Sequence, residues 1–236
     1  MSLLSLPDVP GWEGLFWLAA TLALYGFFLR LRRHFNDSGL LQPLLWVSAL
    51  LIAVLLIGDI PLSSYQLGGN WMVVILGLST VSIGVPIYDN LPIIRQAVGA
   101  FFVAMLLGSV SAVGTALVMA YFLQLDAMIF ATLATKSITS PLAFGVSNEI
   151  GGLAALAMGV VIITGNFAVL IGPKLFAMTG ISDIRAQGLA YGVAAHGIGT
   201  AEAMRRSALM GSFAGLSMGL NGVLTSLVLP VAFSLS

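Results

Sequence analysis

Long apolar runs, each closed by a charge or a cluster of turn residues, recur along the chain at 14–30, 42–60, 71–88, 97–123, 153–173, 187–204 and 209–233. A helix of about 20 apolar residues crosses the hydrocarbon core of a bilayer, and in that medium only helices or closed barrels satisfy every backbone polar group. Each run therefore predicts a transmembrane helix. An eighth run, 128–150, is interrupted by Lys136, Pro141 and Asn148-Glu149, and it predicts a broken span or a re-entrant hairpin. The expected fold is an all-α polytopic membrane protein, 1–236 forming a single transmembrane domain, with about seven transmembrane helices beside the segment 128–150.

Charges at the ends of the runs bear on orientation. Asp8 and Glu13 precede the first run, and Arg30, Arg32 and Arg33 follow it. That polarity is the reverse of a cleavable signal peptide and predicts a retained first span with its N-terminus outside. Beyond the fourth run the positive-inside rule is evenly balanced. If 128–150 spans, Arg95, Arg205 and Arg206 join the first three arginines inside, with Lys174 and Arg185 outside; if it is re-entrant, the two pairs exchange sides.

An internal repeat tips the balance. A slide of 110 residues lays Val81–Val118 over Tyr191–Val228, matching Arg95 to Arg205, Ala104 to Ala214 and Thr115 to Thr225. Both stretches carry an interrupted segment at the same place: Gly84-Val85-Pro86 in one, His196-Gly197-Ile198-Gly199-Thr200 in the other. Paired broken helices in two halves point to a transporter binding site. The re-entrant scheme makes the repeat halves, 40–123 and 128–236, inverted as such carriers require.

Composition agrees with the pattern. Hydrophobic residues make up 59% of the chain and charged ones 8%, with a mean hydropathy of +1.06, against roughly a quarter charged in soluble domains. No water-facing surface can be built from so few charges, so the periphery faces lipid. The chain has no cysteine, which removes thiolate chemistry and Cys-based zinc sites. A net charge of zero supplies no basic stripe for nucleic acid.

Lys136 lies ten residues beyond Asp126, which in helical form is about 15 Å into the membrane. It reads either as a lysine snorkelling to the interface or as an ammonium awaiting a carboxylate, since ionisable groups in a membrane mark function. Pro141 cannot donate to the carbonyl of Ser137, so Lys136, Ser137, Thr139 and Ser140 together offer one cation, hydroxyls and a freed carbonyl. That set suits a small hydroxy- or keto-acid. His196 is the one histidine within an apolar run. It is either a packed core residue or, with Gly197, Gly199 and Thr200, part of an unwound helix that binds substrate or relays a proton. The segment Gly84 to Tyr88, with Pro86 as a substrate-binding candidate, is its expected symmetry mate.

Asn148 and Glu149 end the lysine segment; Glu149 is an interfacial end charge, a partner of Lys136, or a ligand for a coupling H+ or Na+. Asn166 and Asn221 predict interhelical hydrogen bonds, with Asn166 also a candidate for coupling. Gly188 and Gly192, and the series Gly211, Gly215 and Gly219, predict close helix packing within the chain or across a homodimer. Enzyme readings find little support: Ser140 or Ser147 with His196 lacks a third orienting group, no set of metal ligands exists, and there is no phosphate-binding loop. No cofactor is expected, and transport would be passive or driven by an ion gradient.

Several motifs carry a family resemblance. Lys136-Ser137-Ile138-Thr139-Ser140-Pro141-Leu142-Ala143, Ile150-Gly151-Gly152, Thr164-Gly165, Arg185-Ala186-Gln187-Gly188-Leu189-Ala190-Tyr191-Gly192 and His196-Gly197-Ile198-Gly199-Thr200-Ala201 together resemble the LrgB/CidB family. Gln42-Pro43-Leu44-Leu45 and Val85-Pro86-Ile87-Tyr88 extend the likeness over nearly all of the chain after residue 40. The resemblance implies a multi-pass protein of the inner membrane. Bacterial members are described as holin-like or antiholin-like modulators of murein hydrolase export and autolysis, beside a small LrgA/CidA partner. A plastid relative exports glycolate and glycerate, and some bacterial members are linked to pyruvate uptake, which implies transport of small monocarboxylates. Gln42 and Ala195 stand where the family commonly has Asn and Ser.

Overall fold

The computed structural model describes residues 11–35 and 41–235, and the elements among them are all helices. They are α1 (Trp12–His34), α2 (Pro43–Ile57), α3 (Leu62–Ser82), α4 (Gly84–Asp89), α5 (Leu91–Gln96), α6 (Val98–Phe122), α7 (Ala127–Ala134), α8 (Ser140–Glu149), α9 (Ala154–Thr179), α10 (Ile184–Arg206) and α11 (Ala208–Ser234). Among the described residues four of these, α1, α6, α9 and α11, are long and apolar enough to cross a membrane, and α2 is a shorter apolar helix. Asp8, expected before the first span, lies outside the described residues.

Packing divides the chain at Ser82/Ile83 into two compact units. In the first unit α1 packs on α2 and α3 around Trp17, Val47 and Leu51. The ring of Tyr65 meets Trp17 edge-on, and Gly68 lets α3 reach the backbone of α1 at Gly14. Arg32 donates to Gln42 Oε1 at 2.6 Å, holding the end of α1 to the entry of α2.

In the second unit the crossing helices are α6, α9 and α11. α6 and α11 run parallel: Phe101 meets Phe213, and Ser109 meets Asn221. α9 runs antiparallel to them. The stretches matched by the 110-residue slide lie largely on α6 and α11, so that register relates parallel helices and not inverted ones.

The segment 127–149 is a broken helical hairpin. Its arms, α7 of 8 residues and α8 of 10, are about 12–15 Å long, half of a hydrocarbon core. The turn Thr135–Thr139 forms the tip. The chain after α8 folds back onto α7, since Thr132 Oγ1 accepts from the backbone of Leu153 at 2.8 Å and a Cβ on Gly152 would touch Ser147 and Thr132. Pro141 at the first turn of α8 has its missing N–H where a helix start needs none.

The run 187–204 differs from expectation. It lies on α10, whose 23 residues do not form one crossing helix, because the backbone at His196 (φ 41°, ψ −127°) reverses the chain. Gly188 and Gly192 on the first arm pack on Met210 and Ala214 of α11, a parallel register. On the second arm Met204 meets Gly211 and Thr200 meets Met218, an antiparallel register. Arg206 returns to stack over the ring of Tyr191, 5.6 Å from its centroid, whereas a straight helix would hold their Cα atoms about 22 Å apart. The reversal makes α10 a second helical hairpin, its open end at the opposite end of the unit from that of the first.

One end of this unit gathers the basic residues. The start of α6, the end of α9 and both ends of α10 lie together there, with Arg95, Lys174, Arg185, Arg205 and Arg206, whereas Asp126 and Glu149 lie at the other end. Asp183 caps α10 by accepting from the Arg185 amide at 2.8 Å. The Arg185 guanidinium hydrogen-bonded to its carboxylate holds the Asp183 pKa down at about 2.

Candidate functional site

Two interrupted segments meet at the middle of the second unit. At the first tip the chain leaves helical geometry between Thr135 and Thr139, and side chains take over the freed backbone groups. Asn221, at the midpoint of α11, donates Nδ2–H to the Ser137 carbonyl at 2.8 Å. Its Oδ1 accepts from Ser109 of α6 at 2.6 Å, and Thr225 approaches it at 3.5 Å. The interhelical role expected of Asn221 is thus met, at a depth where no water competes. The Lys136 carbonyl faces Thr164 Oγ1 at 3.2 Å.

The Lys136 side chain is half-buried and its ammonium donates to Ser137 Oγ at 3.3 Å. Among the described residues no carboxylate pairs with it. Glu149, weighed as its partner, is exposed at the foot of α8 beside exposed Asn148, a hairpin arm away from the tip. Thr139 and Ser140 flank the tip, half-buried.

At the second tip His196 is 3% exposed and occupies a φ/ψ pair near the first central position of a type II′ turn, which glycine normally fills. Holding a histidine there costs about 1–3 kcal/mol. What holds it is α9. Nε2 lies 3.0 Å from the Val161 carbonyl, and because a carbonyl only accepts, Nε2 carries the hydrogen. The ring packs against Gly165, where a Cβ would stand 2.8 Å from Cε1. The Thr200 hydroxyl donates to the His196 carbonyl at 2.8 Å, Gly199 lets the arms close on Tyr191, and Gly197 is open.

The two tips therefore share one turn of α9, residues 161–165, near that helix's midpoint. The lysine tip touches it at Thr164 and the histidine tip at Val161 and Gly165. Pro86 is elsewhere. Its carbonyl accepts from Ser212 at 2.7 Å and Asn90 at 2.8 Å, and Ser212 lies about 13 Å along α11 from Asn221. Asn166 donates to Ile162 of its own helix at 2.8 Å, not across helices, and its buried Oδ1 has no partner among the described residues. Of the packing glycines, Gly188, Gly192 and Gly211 close the α10–α11 contacts and Gly215 admits Ile83, but Gly219 meets nothing within 4 Å.

Ser109, the Val161 carbonyl, Thr164 and Gly165 are site residues that sequence reasoning did not single out for the site. A threonine in a helix ordinarily bonds the carbonyl four residues back, as Thr164 also does to Val160 at 2.8 Å, so its sequence carries no sign of a second role.

The LrgB-like family model matches residues 21–235. The chain belongs to the LrgB-like family. Both hairpins and the shared turn lie inside the matched region. A relative from Staphylococcus aureus, named holin-like protein CidB, is 32% identical over 224 residues, covering 93% of this chain and 95% of the relative. The holin-like protein CidB of Staphylococcus epidermidis is 30% identical over 211 residues, 89% of this chain and 92% of the relative. Protein YwbG of Bacillus subtilis, whose function is uncharacterised, is 31% identical over 193 residues, 82% and 86% of the two chains. No solved structure matches. The LrgB-like chain is a multi-pass membrane protein whose named relatives are holin-like.

Proposed function

We propose that this chain is a holin-like component of the inner membrane that acts beside a small membrane partner of the LrgA/CidA type. The observation that supports this most directly is its similarity, over 93% of its length, to a protein named holin-like. Gly219, exposed on α11 with open space beyond it, is a close-approach position for such a partner or for a second copy. Co-expression of the chain with that partner tests the reading: the two copurify, and Gly219→Leu weakens both copurification and the autolysis phenotype. A chain that never copurifies with the partner, and whose loss leaves autolysis unchanged, overturns it.

A second reading is favoured by the geometry of the two tips. Opposed re-entrant hairpins, each followed by a crossing helix, are the arrangement of an inverted-repeat secondary transporter, with α7–α9 and α10–α11 as its two units. Under this reading the chain moves small monocarboxylates, of glycolate, glycerate, lactate or pyruvate size, coupled to H+ or Na+. Lys136 meets the carboxylate, and Ser137, Thr139, Ser140 and the His196–Thr200 arm meet the remainder. Lys136→Ala then abolishes uptake of labelled glycolate or pyruvate into proteoliposomes while the protein stays folded. Undiminished uptake by that variant removes the lysine from the path, and no uptake by the unaltered chain removes transport. Under either reading the basic end of the second unit faces the cytoplasm.

A further inference from the structure

The one hydrogen of the Thr164 hydroxyl has three acceptors in reach. Val160 lies 2.8 Å away, Val161 3.0 Å and Lys136 3.2 Å, all backbone carbonyls. A hydroxyl donates once, so bonds to these acceptors exclude one another. The Lys136 carbonyl belongs to the first hairpin tip. The Val161 carbonyl is the one that receives Nε2–H of His196 from the second tip at 3.0 Å. Thr164 thus stands between an acceptor that secures one hairpin and an acceptor that secures the other.

We propose that the Thr164 hydroxyl is a positioning switch that couples the two hairpins. When its hydrogen goes to Lys136, the first tip is latched to α9 and Val161 is left to His196, so both tips are closed. When the first tip withdraws, the hydrogen turns to its own helix. To the extent that it reaches Val161 at 3.0 Å and not Val160 alone, that carbonyl gains a further donor beside the histidine ring, and the bond to the ring weakens. Opening one hairpin in this way alters the hold on the other through the turn of α9 that they share. Gly165 makes the second hold sensitive, because the imidazole rests on bare backbone there with no side chain between them.

The inference deepens the second reading but does not need transport for its test. Hydrogen–deuterium exchange is measured on the purified chain at the tip amides 135–139 and 195–199, with α6 as the internal reference. Thr164→Val keeps the shape and removes the hydroxyl. It is expected to speed exchange at 135–139 by about fivefold, the population change set by the net worth of one neutral hydrogen bond, and to leave 195–199 and α6 unchanged, because no hydroxyl remains to compete at Val161. Asn221→Leu, which frees the first tip with the hydroxyl in place, is expected to speed 195–199 as well, and Asn221→Leu combined with Thr164→Val is not. Thr164→Ser restores the unaltered pattern. Thr164→Ala is the second hydroxyl-free variant, with the same expectation if Thr164→Val fails to fold. Exchange at 195–199 that does not respond to Asn221→Leu, that responds equally with Thr164→Val beside it, or that rises equally along α6 overturns the coupling. Coupled exchange in a chain that takes up no carboxylate leaves the switch standing and removes only the transport reading.

Discussion

Asn221→Leu tests how much of the lysine tip's position depends on one amide. The substitution keeps a side chain of similar size, so it leaves no large cavity on α11, and it removes both hydrogen-bonding atoms. The consequences for the partners are unequal. Ser109 falls back on the Met105 carbonyl of its own helix, which it already reaches at 2.7 Å, and Thr225 loses only a 3.5 Å approach. The Ser137 carbonyl loses its 2.8 Å donor inside the bundle. Stranding a buried carbonyl costs about 1–3 kcal/mol, whereas interhelical hydrogen bonds in membrane proteins average about 0.6 and reach about 1.7 kcal/mol. A carbonyl at a tip has no helical alternative, which places the expected loss near the top of that second range, about 1.5 kcal/mol, or roughly tenfold in the population of the open tip. Exchange at amides 135–139 should rise by about that factor, and Ser109→Ala should change it by less than threefold, about 0.6 kcal/mol. An Asn221→Leu chain with unaltered exchange at the tip refutes the reasoning, as does Ser109→Ala matching it.

Gly165→Ala should detach the histidine from Val161, because the new Cβ would stand within 3.0 Å of Nε2 and Ile198; overpacking of this kind costs about 1–3 kcal/mol, read as a lowered thermal midpoint in detergent. Gly192→Ala should cost as much or more, since its Cβ would press on the backbone of Ala214, while Gly219→Ala, with open space around it, should leave the midpoint within about 0.5 kcal/mol of the unaltered chain. The absence of native cysteines permits a sidedness test: Arg185→Cys and Arg205→Cys should both react with impermeant maleimide only from the cytoplasmic side, and Asp126→Cys only from the other. Reaction of 185 and 205 from opposite sides would show α10 to be a crossing helix.

Of the seven runs expected to span, the hydropathy pattern carried the four that fall on α1, α6, α9 and α11, because a lipid-facing helix needs little beyond length and apolar character. It also carried the first hairpin, since Lys136, Pro141 and Asn148-Glu149 break the run visibly. The second break was legible at His196–Thr200, but the full reversal of the chain there was hidden. The arms of α10 join into one apolar run of spanning length, and the reversal falls on a histidine with positive φ, where glycine would have been the legible signal. Counting that run as a span is also what balanced the charges, placing Arg185 and Arg205 on opposite sides when the structure sets them at one end. At the site, Lys136, Ser137 and His196 stood out because charge or polarity is rare in an apolar run. Thr164 and the Val161 carbonyl did not, because one resembles any helical threonine and the other is backbone.

The bond from Asn221 to Ser137 joins residues 84 positions apart. At ribosomal speeds of about 5–20 residues per second, the amide follows the carbonyl by roughly 4–17 s. For that interval a nascent hairpin, too short to traverse the bilayer and with its bent peptide groups unsatisfied, has no lodging in hydrocarbon. Docking of this loop is therefore a post-insertion event awaiting α11, and the newborn polypeptide must shelter Lys136 at the translocon or the headgroups until then.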